Sequence, residues 1–282
     1  MRYFISGANS LLGHSLFEEL RNDHVAIQAD SQEEEHKFYV TLNQRDISSI
    51  ALPSASMKVL NARTKPKNFK SKVLSSDLLV MDLLSAALSG GLDEVEKVIK
   101  IIKDHHSSPS AIVKDQTIVL VSSVMTWINT PSKPSTGKKA PVVEGTASRP
   151  GTGIEDNLSD DEYFQDKDIQ QRAPSPKYQQ IKTIETMAMA AQRISRHLRV
   201  FVLCSGLPYG NGESNDIFYE FYRSSWLSLH PDLASLPIVG SGKNRIPTIH
   251  INDLTQCIKH LYLNIPYQPI QMKPQQYFIA VD

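Results

Sequence analysis

The chain has 282 residues, 40% of them hydrophobic and 21% charged, enough to bury one large α/β core or two small ones. Thirty basic residues balance thirty acidic ones, and an isoelectric point near 7.1 leaves no electrostatic footprint for nucleic acid or an anionic membrane surface. The sequence opens directly on the strand-like MRYFISG and holds no apolar run as long as a membrane span, so an unprocessed, cytoplasmic protein is expected.

In chain order, residues 2–6 read as a strand, 12–20 as a helix and 24–29 as a second strand, which together make one βαβ unit. The turn between the first two is SGANSLLG, and a glycine pattern carries meaning there because it follows a strand and opens a helix. Gly7 permits the tight turn and Gly13 the close packing of helix on strand. Asn9, Ser10, Leu11 and Leu12 form the helix start, whose N–H groups and positive dipole suit a diphosphate. Asp30 follows the expected second strand, 23 positions after Gly7, where a carboxylate can bind an adenosine ribose and favour NAD over NADP. Ser10 occupies the middle glycine position of the pattern, and its Cβ stands in the path of the phosphates.

Residues 33–56 leave the topology open, with a candidate strand at 38–42. Strands are then expected at 57–61, 77–81, 117–121 and 200–204, with helices at 92–103 and 176–196. Strands separated by helix-length segments predict a doubly wound parallel sheet of the Rossmann type, one α/β domain over residues 1–282. Residues 129–167 are rich in Pro, Ser, Thr, Gly, Lys and Asp and poor in large apolar side chains, so a low-complexity, mobile insertion is expected there. Cys204 and Cys257 sit in apolar runs and read as buried thiols. The segment VGSGKNR around Gly242 imitates a phosphate loop. Pro237 stands where that motif needs its first glycine, and Asn244 where it needs Ser or Thr, so no kinase site is assigned.

The strand ending in IVLVSSVMTW brings Ser122 and Ser123 to its carboxyl end, where open parallel sheets bind ligands. Downstream, SPKYQQIK places Tyr178 and Lys182 four apart, on one face at the start of a helix, with Ser175 as N-cap and Pro176 at the first helical position. Ser123, Tyr178 and Lys182 are a candidate catalytic set: an ammonium near a phenol lowers its pKa, and the phenol can then exchange a proton with a substrate hydroxyl or carbonyl. Tyr163 and Lys167 repeat the spacing, but in an acidic loop without the apolar stripe of Ile181, Ile184, Met187, Ala188 and Ala191.

SGANSLLG, IVLVSSVMTW, YQQIK, VFVLCSGLPYGNG and LPIVGSGKNRIPTIHINDL follow in order the landmarks of the extended short-chain dehydrogenases/reductases, and the chain resembles that family, which includes sugar-nucleotide epimerases and dehydratases, nearly end to end. More narrowly, VMTW, SGLPYG, the long segment ending in HINDL, and YFIAVD look like the dehydrogenase-like domain that precedes the kinase in the adenylate kinase 7 family of motile cilia. The resemblance implies an NAD or NADP site, here weak or absent, and axonemal proteins of the cilium as partners. It also exposes departures: Ile246 and Cys204 stand where the wider family has arginines, and Trp127 where it has tyrosine. His250 and Asp253 are expected to fix the loop entering the last helix. These replacements favour a non-catalytic interaction module in the axoneme. The alternatives are an active NAD-dependent oxidoreductase or epimerase using the Ser/Tyr/Lys set, and a nucleotide sensor without turnover. The insertion and the aromatic run of Phe218, Tyr219, Phe221, Tyr222 and Trp226 are the candidate contact surfaces.

Overall fold

A computed structural model of the chain describes residues 1–28, 36–43, 57–131, 133, 164–211, 217–227, 242, 246–265 and 276–282. Within them lie the strands β1 (Arg2–Ser6), β2 (Lys37–Val40), β3 (Met57–Val59), β4 (Leu78–Asp82), β5 (Gln116–Ser123), β6 (Leu198–Ser205), β7 (Leu207–Tyr209), β8 (Thr248–His250) and β9 (Tyr277–Ala280). The helices are α1 (Leu11–Gln28), α2 (Pro66–Ser75), α3 (Leu83–Ser89), α4 (Leu92–Ser107), α5 (Gln179–Gln192), α6 (Ile217–Leu227) and α7 (Ile251–Leu263). Seven strands form one parallel sheet in the order β3-β2-β1-β4-β5-β6-β9, and β7 pairs with β8 in a separate parallel pair.

The sheet is apolar on both faces, because successive side chains of each strand point to opposite sides and both sides are covered. Phe4, Leu79, Ile118, Leu120, Val200 and Val202 pack with α2, α4 and α5 on one face. Ile5, Leu78, Val80, Val119, Val121, Phe201 and Leu203 pack with α1 and α7 on the other. Strands β5 and β6 are buried along their whole length, as the central strands of a two-sided sheet must be. The doubly wound Rossmann architecture expected from the sequence is thus the one observed. None of the described helices is long and apolar enough to cross a membrane.

One expected element is corrected. Residues 24–28 continue α1 instead of forming a strand, and the strand beside β1 is Lys37–Val40, in register Arg2↔Lys37 through Ile5↔Val40. A short apolar run such as HVAI does not by itself separate strand from buried helix, and here the helix, already committed by Leu12, Leu16, Phe17 and Leu20, runs on. Two helices passed over in the sequence, α2 and α3, fill the crossovers after β3 and β4; α2 starts with proline at its first turn, and α3 is capped by Asp82.

Candidate functional site

At the carboxyl end of β1 the chain turns at Gly7, which has φ +68°, and enters α1. A Cβ on Gly13 would lie 2.3 Å from the carbonyl oxygen of Gly7, so only glycine lets the helix settle on the strand. Ser10 acts as the N-cap: its hydroxyl accepts the N–H of Gly13 at 3.1 Å. The loop is stitched to the end of β2, where Ala8 N–H donates to the Thr41 carbonyl at 2.9 Å, and Asn9 and Asn43 exchange two hydrogen bonds at 3.1 and 2.7 Å. Asn43 then reaches across to α3, its Nδ2 donating to Ser85 Oγ at 2.6 Å, while Ser10 Oγ contacts Asp82 Oδ2 at 3.4 Å.

These groups fit a dinucleotide only in part. The tight turn is present, as is the helix start at Leu11 and Leu12. Strand β2, however, leads into Thr41, Leu42 and Asn43, with no carboxylate for a ribose; Asp30 lies outside the described residues and does not close β2. Glu94 of α4 approaches Thr41 instead, and burial raises its pKa in spite of the Thr41 hydrogen bond and the charges of Lys97 and Arg63. The side of Gly7 is filled as well, since a Cβ there would meet Asn43 Nδ2 at 2.8 Å. The described residues therefore do not fit an NAD molecule in its usual seat.

The second polar region lies at the carboxyl ends of β5, β6 and β9. Ser123 closes β5 and is fully buried; its Oγ accepts the N–H of Met125 at 3.2 Å and caps a short 3-10 turn, Val124–Trp127. A second such turn, Pro176–Tyr178, leads into α5, with Ser175 at the N-cap and Pro176 in the first turn as expected, although the Ser175 side chain makes no capping bond. Tyr178 is buried, with the Lys177 ammonium 5.4 Å from its ring centroid. Helix α5 runs antiparallel to the strands it packs on, so its first turn brings Lys182 to the same sheet end. Ser123, Tyr178 and Lys182 thus gather in one region. Lys182, however, donates to the backbone carbonyl of Arg172 at 2.8 Å.

Below this set is a buried network that the sequence did not announce. Arg172 and Glu185 form an ion pair with side-chain exposures of 2% and 0%, Ser122 donates to Glu185, and the Arg172 guanidinium lies 5.0 Å from the centroid of the Tyr277 ring. Tyr277 in turn accepts a hydrogen bond from the indole N–H of Trp127 at 2.8 Å. Burial raises the Glu185 pKa, opposed first by Arg172; burial also raises the Tyr277 phenol and pushes the Cys204 thiol up to about 12. Both cysteines are free thiols, as expected, with Cys204 buried and Cys257 half-buried. The Arg172 charge acts on the Cys204 thiol, but the guanidinium is buried and paired with Glu185, so it does not replace an arginine that would face a ligand. Glu185 could have been suspected, because a glutamate sits among Ile181, Ile184 and Ala188 on the buried face of α5.

Arg172 belongs to the far root of the inserted segment, and both roots are held. Asn129 N–H donates to the Ala173 carbonyl and Ala173 N–H to Thr130 Oγ1, each at 2.9 Å; Lys133 pairs with Asp168 at 2.6 Å; Phe164 packs on Trp127. Residues 166 and 167 start a 3-10 turn, Asp166–Gln171, so these ends of the expected mobile insertion are structured. Residues 134–163, including Tyr163, lie outside the described residues.

In the last motif His250 caps α7, its Nδ1 accepting the Asn252 N–H at 3.2 Å, and Gly210 leaves it room: a Cβ there would stand 2.3 Å from His250 Nε2. Asp253 lies in the first turn of α7, where it complements the helix dipole. Ile246 is half exposed and carries no charge toward any ligand. On α6, Phe218 is partly buried near Tyr209, whereas Tyr219, Phe221, Tyr222 and Trp226 are exposed among the described residues, Trp226 by 77%.

A seven-stranded parallel sheet entered through a glycine turn, with Ser, Tyr and Lys at its carboxyl edge, defines a doubly wound Rossmann fold. Solved structures agree on that fold. A UDP-glucuronic acid 4-epimerase from Bacillus cereus, in complex with NAD, matches with TM-score 0.60 at 13% identity over all of this chain and 77% of that one. The dTDP-glucose 4,6-dehydratase of Bacillus anthracis, also in complex with NAD, matches with TM-score 0.56 at 12% identity over all of this chain and 75% of that one. The particular similarity in sequence is to adenylate kinase 7: the mouse protein is 24% identical over 195 residues, 69% of this chain and 26% of the relative. The Macaca fascicularis protein is 33% identical over 98 residues, 35% of this chain and 16% of the relative. The chain thus spans about a quarter or less of the length of these relatives. No family model matches it.

Proposed function

We propose that this chain is a non-catalytic, dehydrogenase-like domain that binds dinucleotide weakly or not at all and serves as an interaction and structural module among axonemal proteins of motile cilia. The observation that carries this reading is the commitment of Lys182. The Lys182 ammonium uses one of its three donors on the Arg172 carbonyl, which ties it to the fold, and it makes no hydrogen bond to the Tyr178 hydroxyl. Ser123 is fully buried, its hydroxyl oxygen accepting the N–H of the turn that follows β5. With Ile246 and Cys204 at positions where the wider family has arginine, a charged substrate finds no bidentate partner there. A scaffold needs only a rigid frame and exposed contact residues, and α6 offers four exposed aromatics. The axonemal setting rests on the similarity to adenylate kinase 7.

A second reading, an NAD-dependent oxidoreductase or epimerase, is favoured by one observation: Ser123, Tyr178 and Lys182 do share one end of the sheet. The two readings part on Tyr178→Phe. In ciliated cells this variant is expected to assemble into the axoneme and beat normally, while Tyr222→Ser with Trp226→Ser on α6 weakens assembly. A beating defect in stable, fully assembled Tyr178→Phe protein would replace the scaffold by the enzyme.

A further inference from the structure

In open α/β sheets the ligand crevice opens where the strand order reverses, at the carboxyl ends of the strands. In the order β3-β2-β1-β4 that place lies between β1, which feeds α1 on one face, and β4, which feeds α3 and α4 on the other. We propose that this crevice is closed by two side-chain bridges of the chain's own, Asn43 to Ser85 and Ser10 to Asp82, so that the domain takes up no dinucleotide while they stand. The proposal deepens the non-catalytic reading and rests on it.

The first bridge starts beyond β2, on the near side of β1, and ends beyond β4, on the far side. Asn43 is 7% exposed, its backbone is clamped by the reciprocal pair with Asn9, and its Nδ2 passes beside Gly7 to reach Ser85 Oγ at 2.6 Å. The Asn43–Ser85 bond therefore ties the loop after β2 to α3 after β4, passing beside Gly7 at the end of β1, over ground that a ribose and diphosphate would cross to reach α1. The second bridge runs from the N-cap of α1 to the end of β4. Ser10 Oγ meets Asp82 Oδ2 at 3.4 Å, and Asp82 is fixed in turn by accepting the Ser85 N–H at 3.0 Å. An ionised carboxylate has only acceptors to offer, whereas a phosphate oxygen needs donors. Both bridges end on the same turn of α3, so Asp82 and Ser85 form one latch. To admit a diphosphate the protein must give up the Asn43–Ser85 bond and find new partners for two buried amide side chains, Asn9 and Asn43.

The test is calorimetric titration of the full 282-residue chain with NAD, NADP and ADP, alongside Asn43→Ala and the double variant Ser10→Gly/Asn43→Ala. Circular dichroism and thermal melts establish that each variant is folded. Wild type is expected to give no saturable heat at millimolar ligand, and the double variant to gain at least about tenfold in affinity over it. Should Asn43→Ala fail to fold, Ser85→Ala with Ser10→Gly removes both bridges and leaves Asn43 and its pair with Asn9 in place; it too must gain affinity. Micromolar NAD binding by wild type without reduction of the cofactor overturns the bridges and leaves the non-catalytic reading standing. Binding with turnover overturns both. Folded variants that bind no better than wild type also overturn the bridges.

Discussion

The two polar regions at the carboxyl edge of the sheet differ in how their groups are paired. Between β1 and β4 the bridging contacts are mostly between neutral amides and hydroxyls, with Asp82 only half-buried. Beneath β5, β6 and β9 an arginine and a glutamate are shut away from water together. Neutral hydrogen bonds contribute about 1 kcal/mol each and can be exchanged singly. A buried ion pair is different, since its net contribution is small but the loss of one partner strands the other charge. The first region is therefore a latch that can open, and the second a lock that cannot be half undone.

The sharpest way to break that contrast is Arg172→Met. It leaves Glu185 buried without its partner and is expected to cost about 3–5 kcal/mol in urea unfolding, well above the loss from Asn43→Ala. Adding Glu185→Leu should recover most of it; if the double variant is as unstable as the single, the pair is not the source of the loss.

Next in size is Tyr277→Phe. It removes the acceptor of the buried Trp127 indole N–H, and a loss of about 1–3 kcal/mol is expected from the same unfolding curves. An unchanged midpoint would show that the network tolerates gaps and is looser than its hydrogen bonds imply.

The smallest effect lies at the opposite, amino-terminal edge of the sheet, away from both regions. His106 on α4 bonds Gln116 at 3.0 Å, and burial holds its pKa below the usual histidine value, helped by the nearby His105 and His197 and opposed by the Gln116 bond. A group whose folded pKa is depressed binds its proton more readily in the unfolded chain. Its contribution to stability is thus complete above about pH 6.5 and is lost as the pH falls through the folded value. Wild type should lose stability between pH 7 and pH 5, by at most about 1.4 kcal/mol per pH unit from this residue, and His106→Gln should flatten the curve. Equal slopes for the two proteins would show that His106 contributes nothing to the pH dependence.

Most of the architecture was legible because it rests on local signals. The glycine turn, the apolar runs of β1, β4, β5 and β6, and the stripe on α5 each declare themselves within ten or twenty residues. The strand expected at 24–29 failed where a short apolar run fits helix and strand alike. That one slip also moved the end of β2, and with it the reason for choosing Asp30. Ser123, Tyr178 and Lys182 do share one end of the sheet, but their hydrogen-bond partners were not foreseeable. Arg172 reaches Glu185 across 13 residues and Tyr277 across more than a hundred, and pairing at such separations is set by the packed sheet and not by any motif. Cys204 illustrates the point: its thiol feels the charges of both Glu185 and Arg172, a neighbourhood that reading one position does not reveal.

The closed roots of the inserted segment have a consequence for how this domain can change. Because Asn129 and Thr130 are bonded to Ala173, and Lys133 to Asp168, the segment leaves and re-enters the domain at nearly one point. Loop closure then varies only logarithmically with length, and doubling the number of intervening residues costs about 0.6 kcal/mol. With Asn129, Thr130 and Lys133 holding one root and Asp168 and Ala173 the other, a change in length between the roots is expected to have little effect on the sheet, so selection can alter that length at small cost to the fold.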